Sequence, residues 1–159
     1  MLDHEKYLTR CVELARAALD DGDDPFGSVL VDDTGEVLAE ARNREVSRSD
    51  PTAHPELELA QWAWQNLGAE ERAGATVYTS GEHCPMCSAA HGWVGLGDIV
   101  FAASSSQLSD WRAGWGLPAS PVAPLAASAV LPGTRVTGPL SPYDEMMFAL
   151  HQEAAGRRR

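Results

Sequence analysis

Apolar residues recur at helical spacing between Glu5 and Leu19, at Leu8, Cys11, Val12, Ala15, Ala18 and Leu19. This pattern predicts an amphipathic first helix, stopped by Asp20-Asp21-Gly22. Two short β runs follow, Ser28–Val31 and Val37–Ala41, and the polar turn Asp32-Asp33-Thr34-Gly35 between them predicts a hairpin. A polar loop from Arg42 to Thr52 leads into a second helix over His54–Leu67, ended by Gly68. Leu57, Ala60, Trp64 and Leu67 form its expected inward face. Thr76–Thr79 predicts a strand, Pro85–Val94 a short helix and Ile99–Ala103 another strand. Ser104–Pro132 is rich in Ser, Ala, Pro and Gly, and predicts a loop with one or two helical turns that holds Trp111 and Trp115. Arg135–Thr137 is a last short strand. The final helix, about residues 141–156, starts with Ser141 as N-cap, Pro142 at the first helical position, and Asp144 and Glu145 in the first turn. With no repeat and no linker, residues 1–159 read as a single α/β domain.

Composition narrows the function classes. A chain of 159 residues, 44% hydrophobic, supplies one core and not two. Twelve Lys and Arg against twenty-three Asp and Glu give a formal charge of −11, which opposes nucleic acid as a partner. A local strip of Arg42, Arg44 and Arg48 is the one basic feature that could serve a single strand. No apolar run is long enough for a membrane span. The opening Met1–Lys6 lacks the basic start and apolar stretch of a secretion signal, so a cytoplasmic protein is expected. Three cysteines, an odd number, oppose a disulfide framework. Cys11, on the apolar face of the first helix, reads as a packed thiol. His4, His151 and the tail Arg157-Arg158-Arg159 read as surface, and Met146-Met147 as core.

Chemistry concentrates in His54-Pro55-Glu56 and Cys84-Pro85-Met86-Cys87. Two cysteines three apart across a helical turn place both sulfurs at metal-ligand distance, and a histidine at the start of another helix can complete three ligands. Each group opens a predicted helix with proline at its first position, where the missing N–H has no helical partner to lose. Helix N-termini favour thiolates. Three ligands leave a fourth position for water, which zinc converts to hydroxide near neutral pH. Glu56 is too close to His54 to be a comfortable fourth ligand, and can instead carry protons. A closed site completed by His83 or His91 is the structural alternative, giving a binding module and not an enzyme.

The pattern His54-x-Glu56 with Cys84-x-x-Cys87 resembles the zinc-dependent nucleobase and nucleoside deaminases of the cytidine-deaminase-like superfamily. Pro25-Phe26-Gly27, Asn43, Asp50-Pro51-Thr52-Ala53-His54 and Thr79-Ser80 are similar to its other blocks, over a zinc-binding core of about residues 25–103. Phe26, Trp93 and Leu140-Ser141-Pro142-Tyr143 look most like bacterial guanine deaminases. The resemblance implies a three-layer α/β/α fold with a mixed sheet of about five strands and helices on both faces. It implies Zn2+ on His54, Cys84 and Cys87, and Glu56 as proton shuttle. Asn43 would bind the ring, with Phe26 and Trp93 at its faces. The substrate would be a free base or nucleoside: guanine, or alternatively cytosine, cytidine, guanosine or an amino-ring analogue. A homodimer is implied, with the C-terminal helix and Tyr143 capping an active site.

The sequence also departs from that pattern. Pro55 stands where the family has Ala, and His83 where it has Pro. The acid that guanine deaminases carry after an Ala-Gly-aromatic stretch is missing, because Ala113-Gly114-Trp115 continues as Gly116-Leu117. Asp110 and Glu82 are the acids that could replace it, and Trp115 could reshape the pocket.

Overall fold

The computed structural model describes residues 2–157. Its strands are β1 (Gly27–Val31), β2 (Val37–Arg42), β3 (Thr76–Gly81), β4 (Ile99–Ala103) and β5 (Val136–Thr137), in the spatial order β2-β1-β3-β4-β5. β1 is antiparallel to both β2 and β3, while β3, β4 and β5 run parallel. The helices are α1 (His4–Asp20), α2 (Pro55–Asn66), α3 (Ala69–Gly74), α4 (Pro85–Val94), α5 (Ser105–Gly114), α6 (Ala127–Val130) and α7 (Tyr143–Arg157). The expected α/β/α layering around a mixed five-strand sheet is what the chain forms. No helix among the described residues is long and apolar enough to cross a membrane.

Strand alternation divides the core in two. Val29 and Val31 pack with Leu8, Cys11 and Ala15 of α1 and Met147 and Leu150 of α7. Leu30, between them, points the other way, toward Leu59, Ala60 and Ala63 of α2. Tyr78 and Val77 of β3 separate in the same manner. A strand's side chains alternate faces, so an unbroken apolar run suits a strand that is covered on both sides. Leu8, Leu30 and Leu59 are at most 1% exposed, and burial of each contributes roughly 1.5–3 kcal/mol. At the start of β1 the chain passes so close to α1 that a Cβ on Gly27 would lie 2.7 Å from the Cys11 carbonyl oxygen. Glycine there lets the sheet and helix meet, and it sets where β1 begins beneath the site.

Several expectations change. On α2 the buried residues are Pro55, Glu56, Leu59, Ala60 and Ala63. Trp64, expected inward, is 62% exposed and lies under the Arg72 guanidinium at 4.6 Å. Two stripes that share Ala60 compete on this helix, and the one packed on the sheet sets Leu59, Ala60 and Ala63 against Leu30 and Val77. The stretch after β4 holds a full helix, α5, capped by Ser104 and Gln107: the Gln107 N–H donates to Ser104 Oγ (3.0 Å), and the Ser104 N–H to Gln107 Oε1 (2.8 Å). α7 begins at Tyr143, so Ser141 is not its cap and Pro142 precedes it, with the Pro142 carbonyl accepting from the Met146 N–H at 3.1 Å. Met147 is buried, whereas Met146 is exposed. Arg157 is no solvated tail, since it donates to the Leu19 carbonyl (2.7 Å) and pairs with Glu153; Arg158 and Arg159 lie outside the described residues. His151 is buried against Phe26, with ring centroids 5.0 Å apart.

Candidate active site

The informative residues gather where β1 starts and the parallel strands β3 and β4 end, the edge at which open α/β sheets bind ligands. α2 and α4 begin there, with Pro55 and Pro85 at their first positions and His54 and Cys84 as the extended residues before them. The approach to His54 is fixed locally. Asp50 Oδ1 accepts from the Thr52 N–H (2.9 Å) and hydroxyl (2.7 Å), and the Ala53 carbonyl accepts from the Arg44 N–H (3.1 Å). Buried Asp23 holds the preceding loop through the N–H groups of Val46 (2.9 Å) and Ser47 (2.8 Å).

His54 Nδ1 lies 3.6 Å from Cys84 Sγ and 3.6 Å from Cys87 Sγ. The three donor atoms are all within 4.8 Å of one another. Bonds of about 2.3 Å to sulfur and about 2.05 Å to nitrogen, meeting at a tetrahedral angle, place their ends about 3.6 Å apart. The donor set thus fits zinc in both spacing and chemistry. The Cys84 thiol is pulled down to about 4 by the hydrogen bond from Cys87, with a further contribution from His54. Cys87 is pushed up by sharing that proton with Cys84 and by burial. His54 is pushed up to about 10 by the Cys84 sulfur and then Glu45, against the effect of burial. A dication would displace these shared protons on binding. His83 and His91 do not join the cluster. Both are buried and pack edge to face, with centroids 5.2 Å apart, and His91 Nε2–H donates to the Gly97 carbonyl (2.8 Å). Among the described residues, no fourth His, Cys, Asp or Glu closes the site.

Glu56, one residue into α2, is 6% exposed and borders the same cleft. Thr79 Oγ1 donates to its Oε1 at 2.7 Å, and Ser28 Oγ donates to Thr79 Oγ1 at 2.9 Å. Ser28 and Thr79 are register partners of β1 and β3, so strand pairing places both hydroxyls under the acid. Burial raises the Glu56 carboxyl above its ordinary range, partly opposed by the Thr79 hydrogen bond. Such a carboxyl can both take and return a proton.

A cleft of about 300 Å³ opens over these groups. Phe26, Asn43, Glu45 and Pro55 line one side. Across from them, α5 presents Ser105, Leu108, Ser109, Arg112 and Ala113, the residues of one helical face, followed by 117–120 and 122–124. Glu82 fastens this wall: Oε1 accepts from the Ser105 N–H (2.9 Å) and Oε2 from the Ala127 N–H (2.8 Å). Asn43 is buried, and its amide donates to Glu45 Oε2 (2.5 Å) and accepts from the Glu45 N–H (3.0 Å). Glu45 and the α5 face were missed in the sequence. Ser104-x-x-Gln107 was the available signal for α5, and nothing local marks Glu45.

Other expected site residues lie off this cleft. Trp93 is 86% exposed on α4. Tyr143 is packed in the core between α7 and α1, its hydroxyl donating to the Glu5 carbonyl at 3.4 Å. Asp110 is exposed on the face of α5 turned from the cleft. Trp115 packs on Phe148 (5.4 Å) and borders a separate cavity of about 30 Å³. α7 contributes no residue to the cleft of this chain. Arg42 of the basic strip is ion-paired with Asp21.

Residues 1–103 match the family described as the cytidine and deoxycytidylate deaminase zinc-binding region. The chain is 36% identical over 110 residues to the guanine deaminase of Bacillus subtilis, spanning 69% of this chain and 70% of that protein. It is 35% identical over 100 residues to the tRNA-specific adenosine deaminase of Haemophilus influenzae, spanning 63% of this chain and 58% of that one. The solved guanine deaminase from Nitrosomonas europaea superposes with a TM-score of 0.74 at 26% identity, over 98% of this chain and 86% of that one. A His/Cys/Cys donor set beside a buried glutamate, on a fold and sequence shared with these enzymes, places the chain in the cytidine-deaminase-like family of zinc-dependent hydrolytic deaminases.

Proposed function

We propose that the whole chain is one deaminase domain that converts guanine, as a free base, to its oxo product and ammonia in purine metabolism. The observation that carries this reading is the meeting of His54, Cys84 and Cys87 at zinc-ligand spacing beside Glu56, in a cleft also lined by Phe26 and Asn43. His54, Cys84 and Cys87 hold the metal. When bound, zinc supplies a Lewis acid that brings the pKa of water toward neutrality. Glu56 takes the proton of the attacking water and delivers it to a ring nitrogen. With the C–O bond formed by that attack, Glu56 takes the remaining proton of the added hydroxyl and gives it to the amine, so that the C–N bond breaks and ammonia leaves the oxo product. Asn43 retains a second amide hydrogen and a second carbonyl lone pair for the ring edge. Phe26 covers a ring face.

Guanine is favoured over a nucleic-acid substrate by the net charge of −11 and by the Arg42–Asp21 pair. It is further supported by the guanine deaminases among the relatives. The protein works in the cytoplasm as a homodimer, with Trp93 in the contact, which would cover an otherwise exposed indole. Sedimentation of the wild type and Trp93→Ser tests this: a dimer that weakens in the variant is expected, and a monomeric wild type refutes it. Ammonia release from guanine, cytosine, guanosine and cytidine, with zinc assayed on the same sample, tests the reaction. Release from guanine is expected. Release only from a pyrimidine or a nucleoside overturns the substrate, and none from any of them overturns the activity.

A further inference from the structure

Glu45 sits in a loop whose own hydrogen bonds determine where it points. Its N–H donates to Asn43 Oδ1 (3.0 Å), and its carbonyl accepts from the Asp50 N–H (2.9 Å). The next two residues are tied to buried Asp23. From this fixed backbone the side chain reaches into the cleft, where Oε2 accepts from Asn43 Nδ2 (2.5 Å) and faces His54 Nε2 at 3.6 Å. The other ring nitrogen, Nδ1, is the one 3.6 Å from both sulfurs. An imidazole that offers its Nδ1 lone pair to a metal carries its hydrogen on Nε2. That hydrogen faces a carboxylate here. At this distance the contact is electrostatic and not a closed hydrogen bond.

We infer that Glu45 is a positioning residue of the zinc site, holding the His54 ring with Nε2–H toward its carboxylate and Nδ1 toward Cys84 and Cys87. The same carboxylate braces the Asn43 amide, so one acid orders a metal ligand and a group that reads the substrate. Carboxylates behind metal-bound histidines fix the ring and raise its basicity, and their loss costs about 10- to 100-fold in metal affinity. The inference rests on the zinc site and not on the identity of the base.

The test uses the full chain loaded with zinc and challenged with a chromogenic chelator, alongside cobalt(II)-loaded protein read by visible absorption. Glu45→Ala is expected to weaken zinc retention by about 10- to 100-fold and to shift the cobalt bands. Glu45→Gln keeps an acceptor without the charge, and should recover part of that loss. Asn43→Ala removes the other partner of the acid, and should retain zinc within about threefold of wild type, well short of the Glu45→Ala loss. Wild-type zinc retention in Glu45→Ala overturns the inference. An equal loss of zinc in Asn43→Ala also overturns it, since Glu45 would then act through the loop and not through His54. Should Glu45→Ala fail to fold, Glu45→Gln with unchanged retention and cobalt bands refutes it alone. None of these readouts needs substrate, so an absence of ammonia release would count against the proposed reaction and leave this inference standing.

Discussion

The two sides of the cleft are built on different principles. On one side, two helix starts bring His54, Glu56, Cys84 and Cys87 together, and each position requires a particular residue type for its chemistry. On the other, α5 and the segment after it supply mostly small and apolar groups, with Arg112 as the one charged side chain. That wall is held at a distance by Glu82, whose oxygens take the first N–H groups of α5 and α6. Chemistry is thus specified residue by residue on one side, and shape on the other is set by the Glu82 clamp together with the packing of Trp111 and Trp115 on Phe148. Changes on the first side should abolish turnover, while changes on the second should alter binding.

The largest effect expected is from Glu56→Ala, which keeps zinc and loses turnover by about 10²- to 10⁴-fold. Zinc content and kcat measured together decide it, and retained turnover would remove Glu56 from the mechanism. Next is Glu82→Ala, which leaves the Ser105 and Ala127 N–H groups without acceptors at a cost of about 1–3 kcal/mol. Melting should fall by about 2–4 °C per kcal/mol, and KM should rise more than kcat falls. A loss confined to kcat would instead make Glu82 part of the chemistry.

Smaller still is a pH effect from behind the site. Burial depresses the His91 pKa in the folded protein. The folded state therefore excludes a proton that the unfolded chain accepts. The resulting stability is present above the ordinary value of about 6.5 and is lost as pH falls through that value toward the folded pKa, by at most about 1.4 kcal/mol per unit. Thermal melts of His91→Gln, which can still donate to the Gly97 carbonyl, should decline less steeply than wild type between about pH 7.5 and about pH 5.5. The smallest effect belongs to Asp110→Ala, expected to change stability by no more than about 0.5 kcal/mol and kcat/KM by no more than about twofold. A large loss of turnover there would bring the back of α5 into the site.

Legibility in the sequence followed local punctuation. α4 and β4 have the expected limits, Pro85–Val94 and Ile99–Ala103, because Pro85 opens the helix and Gly95, at φ 76°, ends it. α5 was hidden by its Ser- and Ala-rich composition, although its capping box was present. The expected inward face of α2 is the wrong one, because Leu57/Ala60/Trp64 and Glu56/Ala60/Ala63 both fit helical spacing. The zinc donors and Glu56 were legible because residue type and short spacing together carry their chemistry. Trp93 and Tyr143 rest on likeness of position, and Asp110 and Trp115 on nearness to the departing late loop, whereas the directions of all four are decided by packing.

Sequence alone determined the two helix starts, the donor types and the acid two residues after His54, because each depends on fewer than five neighbouring positions. Tertiary structure decided that the two starts meet, through the pairing of β2 and β3 on either side of β1. It also decided that Glu45 faces His54, that Glu82 binds backbone and that Trp93 faces outward. These outcomes depend on contacts between segments tens of residues apart, where strand pairing and burial set direction and no local pattern carries it.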